Sequence, residues 1–198
     1  TAAADSISSW PAEMLADARL LDCEFVDQRV GWAVGDRGVI WHTQDGGRNW
    51  QNQHSGVDGR LTSVSFLDHQ NGWIAGTAIE SYTRTSHAIV LRTRDGGHRW
   101  ERLASPMLPG LSQITMLDGK QGWAVGHSSR LYPAGVFQTT DGGRSWSSVP
   151  GGLSADWLAA DFLDSQGGTI AGHDGQITTV RQSGLEASRT PSIGLRHV

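Results

Sequence analysis

The chain has 198 residues, 37% hydrophobic and 18% charged, with 26 Gly, 9 Trp and a formal net charge of −4. This is too apolar for a disordered chain, too poor in charge for a coiled coil, and lacks the basic excess of a nucleic-acid binder. No apolar run reaches the roughly 18 residues of a membrane span, and a lone cysteine, Cys23, excludes an internal disulfide framework or a cysteine-rich zinc site.

In chain order, Ser9-Trp10-Pro11 is expected to be an outer strand within an N-terminal segment, 1–19, that closes a ring. A first unit, 20–56, carries Cys23-x-Phe25-x-Asp27, then Gly31-Trp32-x-x-Gly35, then Thr43-x-Asp45-Gly46-Gly47-x-x-Trp50. The second, 57–107, repeats these as Val64-x-Phe66-x-Asp68, Gly72-Trp73-x-x-Gly76 and Thr93-x-Asp95-Gly96-Gly97-x-x-Trp100. The third, 108–152, has Ile114-x-Met116-x-Asp118, Gly122-Trp123-x-x-Gly126 and Thr139-x-Asp141-Gly142-Gly143-x-x-Trp146. A worn fourth unit, 153–190, keeps Phe162-x-Asp164 and Gly168-Thr169-x-x-Gly172 but has Gln182 and Ala187 where the box Asp and Trp belong. Residues 191–198 then open a further unit or form a tail, with Leu195–Val198 aligned on Leu61–Val64.

Each unit divides into four short strands, in the second Leu61–Leu67, Gly72–Gly76, Ala88–Thr93 and Arg99–Leu103. The alternation of Val64 and Phe66 around Ser65 has the period of half-buried strands, and Asp-Gly-Gly supplies hairpin turns. Four-stranded units of this length predict an all-β fold, a β-propeller of four-stranded antiparallel blades with the whole chain in one domain. The boxes Thr43/Asp45/Gly47/Trp50, Thr93/Asp95/Gly97/Trp100 and Thr139/Asp141/Gly143/Trp146 are expected to be structural. Each carboxylate should accept N–H bonds inside its own turn while the Trp packs between sheets, because acids on equivalent turns are spread around a ring. The eight histidines have no metal-ligand spacing and are expected to be exposed and singly placed. Cys23, aligned with Val64 and Ile114, is expected in the core. No cofactor or metal is called for.

The first unit, Phe25 through Trp50, follows the string F-x-D-x-x-x-G-W-x-V-G, a Gly-containing turn, then T-x-D-G-G-x-x-W. It resembles the photosystem II stability and assembly factor family of cyanobacteria and chloroplasts. The resemblance implies about seven blades in a complete ring, an extracytoplasmic location (periplasmic, lumenal or secreted), and a non-enzymatic scaffold that binds a protein partner, such as a membrane-protein complex, without inserting into the membrane. A rival closure is a four-bladed ring in which Ser6–Glu13 pairs with the fourth unit. Asp-boxes also occur in glycoside hydrolases of sialidase or xyloglucanase type and in sortilin-type peptide-binding ectodomains. A sialidase would need an Arg triad and a Tyr/Glu pair, for which Arg84, Arg130, Tyr82, Tyr132 and Glu80 are the candidates.

The working face is expected where the units differ in length. The connections between second and third strands are longer in unit two (Thr77–His87) and unit three (His127–Gly135) than in unit one. They carry the candidate partner-binding residues Tyr82, Arg84, His87, Arg130 and Tyr132, with Glu80 at the rim, on the face opposite the Asp-boxes.

Overall fold

A computed structural model describes residues 17–79, 85–104, 108–151 and 155–186. Trp10, Glu80, Tyr82, Arg84 and Leu195–Val198 lie outside the described residues. Four four-stranded antiparallel sheets follow one another along the chain, each meandering in sequence order. Blade 1 is β1 (Leu20–Phe25), β2 (Gly31–Gly35), β3 (Ile40–Thr43) and β4 (Gln51–Gln53); blade 2 is β5 (Arg60–Phe66), β6 (Gly72–Ile79), β7 (Ser86–Thr93) and β8 (Glu101–Arg102). Blade 3 is β9 (Leu111–Met116), β10 (Gly122–Gly126), β11 (Val136–Thr139) and β12 (Ser147–Ser148); blade 4 is β13 (Trp157–Asp164), β14 (Gly167–Gly172), β15 (Ile177–Arg181) and β16 (Gly184–Glu186). The middle hairpin of blade 2 is longer than the repeat suggests. Thr77, Ala78 and Ile79 pair with Ala88, His87 and Ser86, so much of the extra length is a ladder rather than a loop. No helix of the described residues is long and apolar enough to cross a membrane.

Three hydrophobic cores lie between successive blades. Trp32, Val34 and Ile40 of blade 1 pack on Leu61, Val64, Phe66, Ile74 and Leu91 of blade 2. Trp73, Ala75 and Val90 meet Leu111, Ile114, Met116 and Phe137 in the same way, and Trp123, Val125 and Val136 meet Trp157, Phe162 and Ile170. The Trp of Gly-Trp-x-x-Gly is the centre of each core: Trp32, Trp73 and Trp123 are all fully buried. Trp32 stacks on Phe66 with centroids 3.5 Å apart, and Trp123 on Phe162 at 4.7 Å. The first Gly of that motif lies under the same aromatic, since a Cβ on Gly31 or Gly72 would meet the ring of Phe25 or Phe66.

Polar bonds join the same interfaces. The indole N–H of Trp32 donates to the carbonyl of Gly96, and that of Trp73 to Gly142 at 2.9 Å, so each blade grips the Asp-box of the next. Blade 4 has no box, and Trp123 donates instead to the carbonyl of Asp164. The first strands β1, β5, β9 and β13 stand side by side. Carboxylates of Asp22 and Glu24 accept the backbone N–H groups of Val64 and Phe66; Ser63 and Ser65 do so for Ile114 and Met116, and Gln113 for Ala160. Exposed N–H groups on the strand edges are thereby satisfied by the neighbouring blade.

Each Asp-box closes on itself. Thr43 Oγ1 accepts the N–H of Gly47 at 3.0 Å and donates to Asp45, whose carboxylate accepts the N–H of Asn49 at 2.9 Å. Thr93/Asp95 and Thr139/Asp141 repeat this on Gly97 and Arg99, and on Gly143 and Ser145. Bonds from Asn49 hold the Asp45 carboxyl down to about 2. Both box glycines have positive φ in every copy. The box Trp is more peripheral than expected: Trp100 and Trp146 are half-buried at their interfaces and Trp50 is 36% exposed.

Two expectations need correction. Cys23 is exposed, whereas Val64 and Ile114 are 5% and 2% exposed. Those two are buried by the blade before them, and blade 1 has no such neighbour among the described residues. His42 is buried, not exposed, because its ring stacks on Trp32 at 4.9 Å. His69 and His127 are not isolated either, contacting Asp27 at 2.8 Å and Asp156 at 3.3 Å.

Candidate partner-binding face

The four first strands share an irregularity. Pairing between first and second strand slips at the same repeat position in every blade, leaving Leu21, Thr62, Ser112 and Leu158 outside the regular register. Such bulges redirect side chains. Here all four line one cavity of about 540 Å³, together with Arg60, Thr77, Ile79, Ser86, Leu111, His127 and His173. The second Gly of Gly-Trp-x-x-Gly makes the slip possible: a Cβ on Gly35, Gly76 or Gly126 would collide with the carbonyl of Arg19, Arg60 or Gly110. Thr77, His127 and His173 each follow that Gly directly, so the wall is built from repeat-equivalent positions.

Leu21, Ile79, Leu111 and Leu158 supply an apolar lining, Thr62, Thr77, Ser86 and Ser112 hydroxyls, and Arg60, His127 and His173 the basic groups. Among the described residues no carboxylate side chain lines it. Asp36 stands 3.5 Å from Arg60 Nε. Asp156 accepts the N–H of Ser128 at 2.8 Å and contacts His127 Nδ1 at 3.3 Å. The Ser128 N–H, and then His127, keep the Asp156 carboxyl below its ordinary range. Such a lining suits an extended peptide segment that offers an aliphatic side chain and a carboxylate or carbonyl acceptor.

Ile79 and Ser86 of blade 2, and His127, which opens the longer connection of blade 3, line this cavity. His87 is half-buried on β7, paired with Ala78. In the connection after β10, Arg130 is exposed, Leu131 is 63% exposed, and Tyr132 is half-buried. The Tyr132 ring meets Phe137 edge-on at 5.3 Å in the core between blades 2 and 3, and its backbone exchanges bonds with Ser129. Tyr132 therefore anchors the connection that presents Arg130. Tyr82 and Arg84 of the candidate set lie outside the described residues. Sequence reading missed Arg60, Thr62, Leu158 and His173, although superposing the repeats places Thr62 and Leu158 on Leu21 and Ser112. Among the described residues no group of three or more His, Cys, Asp or Glu is placed to hold a metal ion.

The chain is 37% identical over 76 residues to the photosystem II assembly lipoprotein Ycf48 of Synechococcus sp. (strain CC9902), a match covering 36% of this chain and 22% of that protein. A solved structure of YCF48 bound to D1 peptide superposes with a TM-score of 0.63 at 26% identity, over 85% of this chain and 54% of the other. YCF48 from Cyanidioschyzon merolae shares the fold, with a TM-score of 0.62 at 22% identity over 89% of this chain and 58% of the other. The chain thus spans little more than half of these solved relatives. The family model described as photosynthesis system II assembly factor YCF48 matches residues 2–149, three quarters of the sequence, and the chain belongs to that family.

Proposed function

We propose that this chain is a non-enzymatic propeller that docks an extended segment of a protein partner, a subunit of a membrane-protein complex, on the face bearing the bulge-lined cavity. The carrying observation is the convergence of Leu21, Thr62, Ser112 and Leu158 from four blades on one cavity with basic groups at its wall. The YCF48 structure that holds a D1 peptide supports a peptide as the occupant, and Arg130 supplies a further contact beside the cavity. The relative named as a lipoprotein supports an extracytoplasmic site of action, periplasmic or lumenal. A glycosidase needs two facing carboxyls roughly 5–9 Å apart across its cleft; among the described residues this cavity has none in its lining, and the box carboxylates are committed to their own turns.

The test is fluorescence anisotropy with labelled D1 peptides against the chain and its Leu158→Asp and Arg60→Ala variants. Saturable binding that weakens by about tenfold in each variant is expected for a buried apolar anchor and a charge-assisted bond. Binding unchanged in both variants would move the site elsewhere. Turnover of sialosides or xyloglucan oligosaccharides would overturn the non-enzymatic reading.

A further inference from the structure

The cavity wall repeats one cross-blade contact. The residue after each Gly-Trp-x-x-Gly motif faces the residue that precedes Leu61, Leu111 or Trp157 in the next blade. Asp36 thus faces Arg60, Thr77 faces Gly110, and His127 faces Asp156. Between blades 1 and 2 the acid comes from the earlier blade, and between blades 3 and 4 from the later one. In both charged pairs the base lines the cavity and the acid stands outside it. The middle pair is uncharged, and a Cβ on Gly110 would crowd Thr77 Oγ1 and His127 Cδ2. Glycine there keeps the Cδ2–Nε2 edge of the His127 ring clear.

The two bases are held so that they offer opposite chemistry. Asp36 stands 3.5 Å from Arg60 Nε, which leaves the Nη groups, and these can only donate. Asp156 Oδ2 stands 3.3 Å from His127 Nδ1. Its other oxygen accepts the Ser128 N–H at 2.8 Å and lies 3.3 Å from the Ser128 hydroxyl. The Ser128 N–H, and then His127, hold this carboxyl below the usual range, so it is ionised at neutral pH. The main chain of His127 is pinned as well, its N–H donating to the Gly110 carbonyl at 2.9 Å. A carboxylate beside Nδ1 draws the single proton of a neutral imidazole to that nitrogen, and Nε2 is then an acceptor.

Given a peptide docked in this cavity, the reading on which this inference rests, we propose that Asp156 is a positioning residue that fixes His127 with its proton on Nδ1 and its Nε2 lone pair toward the peptide. Blade 3 then takes a hydrogen-bond donor from the peptide, while Arg60 of blade 2 takes an acceptor. An extended backbone supplies both groups, an N–H for His127 and a C=O for Arg60.

Asp156→Asn tests this with a side chain of the same shape. Ser128 retains the amide oxygen, so the NH2 turns to His127 Nδ1 and drives the ring proton to Nε2. Long-range proton–nitrogen correlation spectra of the free chain, assigned with His127→Gln, are recorded at about pH 8, where an imidazole is neutral. They should show the His127 proton on Nδ1 in the wild type and on Nε2 in Asp156→Asn. In anisotropy with labelled D1 peptide at the same pH, Asp156→Asn should bind about fivefold more weakly, as for one lost hydrogen bond, with Leu158→Asp as the control for the cavity. A wild-type His127 protonated on Nε2 would overturn the proposal. So would Asp156→Asn binding like the wild type while Leu158→Asp loses the peptide. Binding unchanged in Leu158→Asp as well overturns the docking reading itself, and with it the role given to His127. The wild-type spectrum decides the tautomer even if Asp156→Asn does not fold.

Discussion

Replacing Trp73 by Phe tests how the blades are held together. The indole is fully buried, its N–H donates to the Gly142 carbonyl of the next blade at 2.9 Å, and the Arg92 guanidinium lies 4.8 Å above the ring. Phe leaves a buried carbonyl unpaired, a loss of about 1–3 kcal/mol. The smaller ring leaves a void, and cavities of that kind cost about 1 kcal/mol or more. The expected destabilisation of about 2–4 kcal/mol corresponds to a fall in Tm of about 5–15 °C for a chain of this size. The control is Trp50→Phe, because among the described residues that indole bonds only the Gly47 carbonyl of its own exposed turn at 3.1 Å; it should cost less than about 1 kcal/mol. Urea and thermal unfolding followed by circular dichroism measure both. Trp73→Phe melting with the wild type, or the two variants losing equal stability, would refute the claim that the inter-blade indole bond governs cohesion.

Asp95→Ala should lower stability by about 1–3 kcal/mol by removing the acceptor of the Arg99 N–H and the partner of Thr93. The same variant should bind peptide with wild-type affinity, which anisotropy checks. Burial pushes the Glu24 carboxyl up to about 7, against the lowering effect of the Phe66 N–H. Its folded pKa thus exceeds its unfolded one, so the folded state binds the extra proton and stability falls as pH rises from about 4.5 to about 7. Glu24→Gln should flatten that part of the stability–pH curve and leave the variant more stable than wild type at pH 8; an unchanged slope would contradict this. Gly76→Ala should abolish soluble expression or cost about 3 kcal/mol or more, since its Cβ would strike the Arg60 carbonyl at the bulge.

The repeat made the blades legible because the same three motifs recur in constant order, and even the worn fourth unit keeps its alternation around Phe162. What the sequence hid depends on neighbours rather than on local pattern. Cys23 reads as core by alignment but is exposed, because burial at this repeat position comes from the blade before, as blade 1 covers Val64 and blade 2 covers Ile114, and among the described residues no blade precedes blade 1. His42 reads as a lone surface residue, yet Trp32 on the adjacent strand gives it a stacking partner. The bulges leave no mark in hydrophobic periodicity, since Thr62 and Ser112 look like ordinary polar positions of an alternating strand. They become visible only as a slip in register opposite Gly76 and Gly126. Tyr132 was an anchor candidate by residue type, and its ring is spent on the core.

Hydrogen–deuterium exchange of the chain with and without D1 peptide reads every blade at once and locates the docking face. Bound peptide should protect Arg60–Thr62, Leu111–Ser112 and Leu158, together with the connection that carries His127 and Arg130, and leave the Asp-box turns after Thr43, Thr93 and Thr139 exchanging as before. Protection confined to the Asp-box turns, with the bulge strands unchanged, would contradict it.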